Sequence, residues 1–275
     1  MSVFQAIILG VVQGIAEFLP ISSSGHLAVT QRLFGLEDIP LLFDVMLHLA
    51  TLAAVILYFR KKIARLFAIL FRKKVEIDEL DLLTGTDELG RKTILAVIFA
   101  TLVTGVIGVF TSKLIPELPL KVTCAGFIVT ACLLIFSSLW AKKQDSKKSG
   151  EPKGISIPQS LFIGFMQGIG TLPGISRSGS TIAGAQLSGV NRAAAGEFSF
   201  IVSIPAILGA FLLEAKDLGE VSSQIGALPV FCGCLAAFAW GYLSLSILMK
   251  LIRKGKLEWF ACYLIPLGIL GLIFF

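Results

Sequence analysis

The chain has 275 residues, 55% hydrophobic and only 15% charged, with a net charge of +6 and a mean hydropathy of +0.86. Soluble domains carry about 25% charged residues, so a soluble enzyme is excluded and an all-α polytopic membrane protein is expected. The basic balance does not call for nucleic acid as a partner, because lysines and arginines collect in the cytoplasmic loops of membrane proteins.

The first apolar region, 2–36, is broken by Pro20 and the run Ser22–Gly25. Each half is too short to cross a bilayer comfortably, so a re-entrant helix–loop–helix is predicted. Such backbone is tolerated at membrane depth only when buried in protein or facing water. The segment lacks a basic n-region and a small-residue cleavage site, and is read as mature protein rather than a signal peptide. Spanning helices are predicted at 41–59, 92–112 and 118–140. A polar stretch, 141–155, carries Ser149, Gly150 and Pro152 and reads as a linker. The second broken region, 156–191, is interrupted by Pro173, Gly174 and the run Ser176–Thr181, and is predicted as a second re-entrant pair. Spans at 195–214, 225–249 and 257–275 complete the chain. The five cysteines fall in apolar spans without metal-ligand spacing, and are expected to be small buried hydrophobes.

Nine lysines and arginines fall in 60–92, five in 141–155 and four in 250–256, which is 18 of the 24 in the chain. Those three loops are therefore expected in the cytoplasm and both termini outside. Spans 41–59 and 195–214 then run in opposite directions. The expected fold is an inverted-topology repeat of six spanning helices plus two re-entrant pairs, divided into 1–140, a cytoplasmic linker 141–155, and 156–275. Two loops entering from opposite faces can meet near the midplane.

A duplicated motif supports this division. Residues 13–25 read QGIAEFLPISSSG and residues 167–179 read QGIGTLPGISRSG, at a constant offset of 154. Gln13 and Glu17 lie four apart and share one helix face. A carboxylate in an apolar helix is costly and defaults to a functional reading, here as metal ligand or general acid/base. The second copy has Gln167 and Thr171 instead. Ser22, Ser23, Ser24, Gly25 and His26 place hydroxyls at a helix start. That suits capping, and with exposed amides it suits an anion. His26 can relay a proton or attack phosphorus. His48, in mid-span with no motif around it, reads as a histidine satisfied by a hydrogen bond. In the second loop Gly174, Ser176, Arg177, Ser178 and Thr181 combine glycines for close backbone approach with a guanidinium that can clasp phosphate oxygens. Together the loops suit a phosphate-bearing substrate with a membrane-resident tail.

At these residues the chain resembles a known family. The run Gln13–Glu17 followed by FLPISSSGHL resembles the (E/Q)xxxE motif of bacterial undecaprenyl pyrophosphate phosphatases, the family linked to bacitracin resistance. LPGISRSGST resembles that family's PGxSRSxxT motif, and EFSFIVSIP (Glu197–Pro205) a further signature. Gln13 stands where many members carry Glu. The resemblance implies an integral-membrane phosphatase that converts undecaprenyl pyrophosphate to the monophosphate carrier of cell-wall synthesis. It implies a divalent cation, Mg2+ or Ca2+, held by Glu17 and Gln13. It places the protein in the bacterial cytoplasmic membrane with the site opening outward, and leaves a homodimer open. Bacitracin would compete only indirectly, by sequestering the substrate. Glu17, Ser23, His26 and Arg177 would be catalytic, with Gln13, Ser22, Ser24, Gly25, Gln167, Gly174, Ser176, Ser178 and Thr181 binding substrate. Two attackers remain open: Ser23 with His26 as base, or His26 itself. The rival class is a lipid-phosphate flippase using the same anion site. Glu17 and His26 have no counterparts in the second loop, where Thr171 and Ser180 stand, and this asymmetry favours chemistry over binding alone.

Overall fold

The computed structural model describes residues 1–36, 41–73, 81–114, 118–145, 154–214 and 225–275, and is helical throughout its regular structure. In chain order the helices are α1 (Val3–Phe18), α2 (Ser23–Leu33), α3 (Leu41–Tyr58), α4 (Arg60–Leu70), α5 (Asp87–Leu114), α6 (Leu120–Asp145), α7 (Ile157–Ile169), α8 (Arg177–Leu187), α9 (Arg192–Glu214), α10 (Ala227–Arg253) and α11 (Ala261–Phe274). A short 3-10 turn, Leu257–Phe260, leads into α11. Among the described residues five helical stretches are long and apolar enough to cross a membrane. A sixth is counted if α3 and α4, bent by 77° at their junction, form one broken span. Residues 146–153, most of the expected linker, lie outside the described residues, as do 115–117 and 215–224 between the expected spans.

Both broken regions form helix pairs, and the sequence shows why. Ser2 caps α1 in a box with Gln5, and Ser156 does the same for α7 with Gln159. Each first helix then stops where the proline-bearing loop begins. Each second helix starts on a serine cap: Ser22 accepts from the Gly25 N–H at 3.4 Å, and Ser176 from the Gly179 N–H at 3.1 Å. None of these four helices, of 16, 11, 13 and 11 residues, is long enough to be counted as a span by itself.

Small residues let the backbones close up. A Cβ on Gly10 would lie 2.1 Å from the Gly233 carbonyl oxygen, so α1 rests on α10 almost backbone to backbone. A Cβ on Gly164 would likewise lie 2.5 Å from the Ala100 oxygen, where α7 rests on α5. Each seam carries a hydroxyl staple: Ser244 Oγ donates to Gly14 O at 2.7 Å, and Thr104 Oγ1 to Gly164 O at 3.0 Å. Helix α6 packs along α11, and α8 lies between α6, α7 and α9.

The outer surface is apolar. Phe4, Leu102, Val106, Phe110, Leu212, Phe231, Ile273 and Phe274 are all largely exposed, which is costly in water and neutral against lipid. The cysteines follow the same logic and depart from expectation: Cys124 is buried, but Cys132 and Cys262 are exposed. In a bilayer the apolar environment lies outside as well as inside, so a small apolar side chain gains little by burial.

Charges gather where α4 turns away from α3. Lys62 bonds Asp81 at 2.7 Å and also Glu197, and Arg253 approaches Glu197 at 3.4 Å, so α4, α9 and α10 share one ionic knot. Burial pushes the Asp81 carboxyl up, but Lys62 and the N–H groups of Leu83 and Thr84 outweigh it and hold the group below its ordinary range.

Candidate active site

Glu17 is the hub. It sits in the last turn of α1 and is 7% exposed. Four side chains from four elements converge on its carboxylate. Gln13 Nε2 donates to Oε2 at 3.1 Å from one turn earlier on α1. Ser23 Oγ, the first residue of α2, donates to Oε2 at 2.6 Å. His48 Nε2 on α3 lies 3.3 Å from Oε2. Arg177, the first residue of α8, binds Oε1 through its guanidinium. An ionised carboxylate at this depth is sustained by such a set of donors and counter-charges.

The geometry of the two loops matches their sequence. Ser23 and Arg177 occupy equivalent positions, each directly after the serine cap, and both reach the same carboxylate. The loops touch: Ser178 Oγ lies 3.5 Å from Leu19 O, and a Cβ on Gly179 would sit 3.1 Å from Pro20 Cβ. Left-handed backbone marks both. Ser22 holds φ +71°, in the left-handed region that a serine rarely enters. Gly174 holds φ +82°, and a Cβ there would lie 1.9 Å from the Thr123 carbonyl oxygen. The second loop is fixed further by Thr130 Oγ1, which accepts from the Ser176 N–H at 3.0 Å.

The remaining expected residues divide by position. Ser24 is exposed, with its Oγ 3.4 Å from that of Ser22. Gly25 is buried under the Phe127 ring, where a Cβ would lie 2.5 Å from Cε1. Thr181 turns its hydroxyl proton onto Arg177 O at 2.6 Å. Gln167 donates to Thr104 Oγ1 at 3.0 Å. His26 is not brought to the hub. Its Nδ1 bonds Ser22 O and its Nε2 meets the Tyr263 hydroxyl, both at 2.8 Å, and its ring lies between Phe127 and Tyr263.

Sequence reasoning missed His48 and the α9 serines. The available signal for His48 was its place in an apolar span, where an ionisable side chain defaults to a functional reading. Its orientation is set from below: Nδ1 bonds Asp44 O at 2.7 Å, leaving Nε2 for Glu17. Ser199 and Ser203, with Glu17, Phe18, Gln167, Arg177, Ser178, Thr181 and Phe200, line a small pocket beside the hub.

The donor set for a hard cation is oxygen-based. Gln13 Oε1 is buried and, among the described residues, without a hydrogen-bond partner. It stands beside the Glu17 carboxylate on one helix face. A carboxylate and an amide oxygen suit Mg2+ or Ca2+, which complete their shells with water or substrate phosphates. Among the described residues no three His, Cys, Asp or Glu side chains group together as a metal cage.

The fold and site define a polytopic helical membrane protein in which two capped loops close on one buried, ion-paired carboxylate. Residues 6–270 match the family described as Bacitracin resistance protein BacA. An undecaprenyl-diphosphatase of Treponema denticola is 47% identical over 98% of this chain and 96% of its own length. One of Carboxydothermus hydrogenoformans is 38% identical over 99% and 97%. The chain belongs to the BacA family.

Proposed function

We propose that this protein is an undecaprenyl-diphosphatase of the bacterial cytoplasmic membrane, which cleaves the terminal phosphate from undecaprenyl diphosphate and leaves the monophosphate. Family membership supports the substrate, and the relatives' names favour hydrolysis over the flippase reading. The observation that carries the chemistry is the meeting of Ser23 and Arg177, from two separate loops, on Glu17.

Arg177 exchanges its carboxylate partner for the diphosphate, which its planar fork suits. That exchange frees Glu17 Oε1, while Oε2 already accepts the Ser23 proton at 2.6 Å. Ser23 Oγ then attacks the terminal phosphorus as its proton passes to Glu17. The phosphoanhydride bond breaks, undecaprenyl phosphate departs, and water releases phosphate from Ser23. His48 steadies Glu17 throughout. His26, with both ring nitrogens engaged elsewhere, serves the first loop by holding Ser22 O and Tyr263. A divalent cation held by Glu17 and Gln13 Oε1 would neutralise charge developing on the phosphate.

The finer architecture belongs to the same reading. The pairs α1–α2 and α7–α8 are re-entrant, and 1–140 and 156–275 form an inverted repeat. The exchange of partners supports this: α1 seats on α10 and α7 on α5, the second span of the opposite half in each case. The site then opens to the outer face, and the knot around Lys62 lies cytoplasmic. The test is phosphate release from undecaprenyl diphosphate by the purified protein in detergent, with and without chelator. Release that disappears with Ser23→Ala supports the proposal. Unchanged release by that variant removes Ser23 as nucleophile, and no release by the wild-type protein ends the hydrolase reading.

A further inference from the structure

The capping serines of the two loops differ in backbone conformation. Ser176 is extended, at φ −75°, whereas Ser22 holds φ +71°. A serine keeps a left-handed backbone only where its surroundings enforce it. Four residues on, the loops differ again: the first has His26 and the second Ser180. In both, the backbone N–H at that position donates to the serine carbonyl, at 3.2 Å from His26 and 2.8 Å from Ser180. Only His26 adds a side-chain bond, from Nδ1 to Ser22 O at 2.8 Å. Ser180 Oγ has no partner among the described residues. The left-handed serine is thus the one whose carbonyl is held twice.

His26 is itself held from two helices. Phe127 on α6 lies 5.1 Å from its ring, and Tyr263 on α11 stacks on it at 5.7 Å with 21° between the planes. The two helices are closely seated, since a Cβ on Gly268 of α11 would lie 2.9 Å from Cys124 O of α6. The hydrogen-bond roles follow from the partners. Ser22 O can only accept, so Nδ1 carries a proton. The neutral ring then offers Nε2 as acceptor, and the Tyr263 hydroxyl donates to it at 2.8 Å. The Ser22 carbonyl and the Ser23 N–H share one planar peptide. Fixing that carbonyl therefore fixes where Ser23 begins, and so aims its Oγ at Glu17, 2.6 Å away. We infer that Tyr263 is a positioning residue: through His26 it holds Ser22 in the conformation that points Ser23 at Glu17. That this serves an attack by Ser23 rests on the hydrolase reading; the clamp itself does not.

Tyr263→Phe keeps the stacked ring and deletes only the hydroxyl. Phosphate release from undecaprenyl diphosphate by the purified full-length protein in detergent, measured across substrate concentration, should show kcat lower by about three- to tenfold, the worth of one neutral hydrogen bond, with KM unchanged. His26→Asn keeps an N–H near the Nδ1 position and falls short of Tyr263. In that background Tyr263→Phe should lower kcat no further, because its only route to Ser23 is already cut. An unchanged kcat in Tyr263→Phe, or a change confined to KM, overturns the positioning role. The same fall in the His26→Asn background as in wild type overturns the route through His26. Hydrogen exchange reads the clamp without turnover, and amide exchange across residues 22–26 should quicken in Tyr263→Phe. Unchanged exchange overturns the clamp whatever the rates. Quickened exchange in a protein whose wild type releases no phosphate keeps the clamp and ends the hydrolase reading.

Discussion

Replacing Glu17 by Gln tests the hub most directly. From sequence alone this exchange reads as neutral to folding, since it keeps shape and removes only charge. The structure gives it a cost. The carboxylate accepts from Gln13 and Ser23 and pairs with His48 and Arg177. A glutamine keeps one acceptor oxygen and adds an NH2, so one side of the hub then sets donor against donor. Removing one partner of a buried ion pair costs about 3–5 kcal/mol. The Arg177 side chain is 20% exposed against 4% for Glu17, which places the cost near the lower end, about 3 kcal/mol. Turnover should fall by about 10²–10⁴-fold, the usual contribution of a positioned general base. Adding Arg177→Met to Glu17→Gln removes the stranded guanidinium. The double variant should recover part of the lost stability, a coupling of at least about 1.5 kcal/mol, and recover no activity. Denaturant unfolding in micelles gives the stabilities, and phosphate release gives the rates. Strict additivity of the two changes would refute the ion pair, and near-normal turnover in Glu17→Gln would refute the role of the carboxylate.

Ser23→Ala should lower turnover by at least about a thousandfold, as loss of a nucleophile does, while His26→Gln should cost far less because its bonds to Ser22 and Tyr263 lie away from Glu17. Single-turnover phosphate release from both variants checks the ranking, and a more severe loss in His26→Gln would restore the phosphohistidine route. Arg177→Lys keeps charge but loses the planar fork, so turnover should fall by about a hundredfold. Assays across substrate concentration would show it, and a change confined to the Michaelis constant would confine Arg177 to uniform binding. Cysteines introduced at exposed Lys61 and at the C-terminus should label from opposite faces of the membrane. Labelling from one face would sink the inverted arrangement.

Much of the fold was legible because the bilayer demands long apolar helices, and interruptions such as Pro20 and Pro173 stand out against them. The bend between Tyr58 and Arg60 was not, because the basic run beginning at Arg60 reads as an ordinary loop by charge. At the site, the duplicated loops announced Glu17, Ser23 and Arg177 through residue types foreign to an apolar helix. His48 and Ser199 carried no comparable signal. Each is a single polar residue in an apolar span, and its meaning depends on which face it presents once α3 and α9 are packed. Cys132 and Cys262 were misplaced for a related reason: hydrophobicity along the chain does not separate a lipid-facing residue from a core one.

The site also shows how a duplicated loop yields one centre rather than two. The caps are built alike: Ser22 with Gly25 in one, Ser176 with Gly179 in the other. The glutamines are alike too, since Gln13 and Gln167 each donate once and leave Oε1 unpartnered among the described residues. The difference in charge lies at two matched positions. Where the first loop has Glu17, the second has Thr171, whose hydroxyl folds back on Gly168 O of its own helix at 2.7 Å. Where the first has Ser23, the second has Arg177. Two carboxylates facing each other at this depth would repel and could not both stay ionised. One carboxylate facing one guanidinium is neutral as a pair. The division of residues between the copies is therefore what lets both loops be buried together, and the same division leaves the Ser23 hydroxyl on one oxygen and the Arg177 guanidinium on the other oxygen of one carboxylate. An Arg177→Glu change would restore the repulsion, and the loops should then fail to close even where each helix still forms.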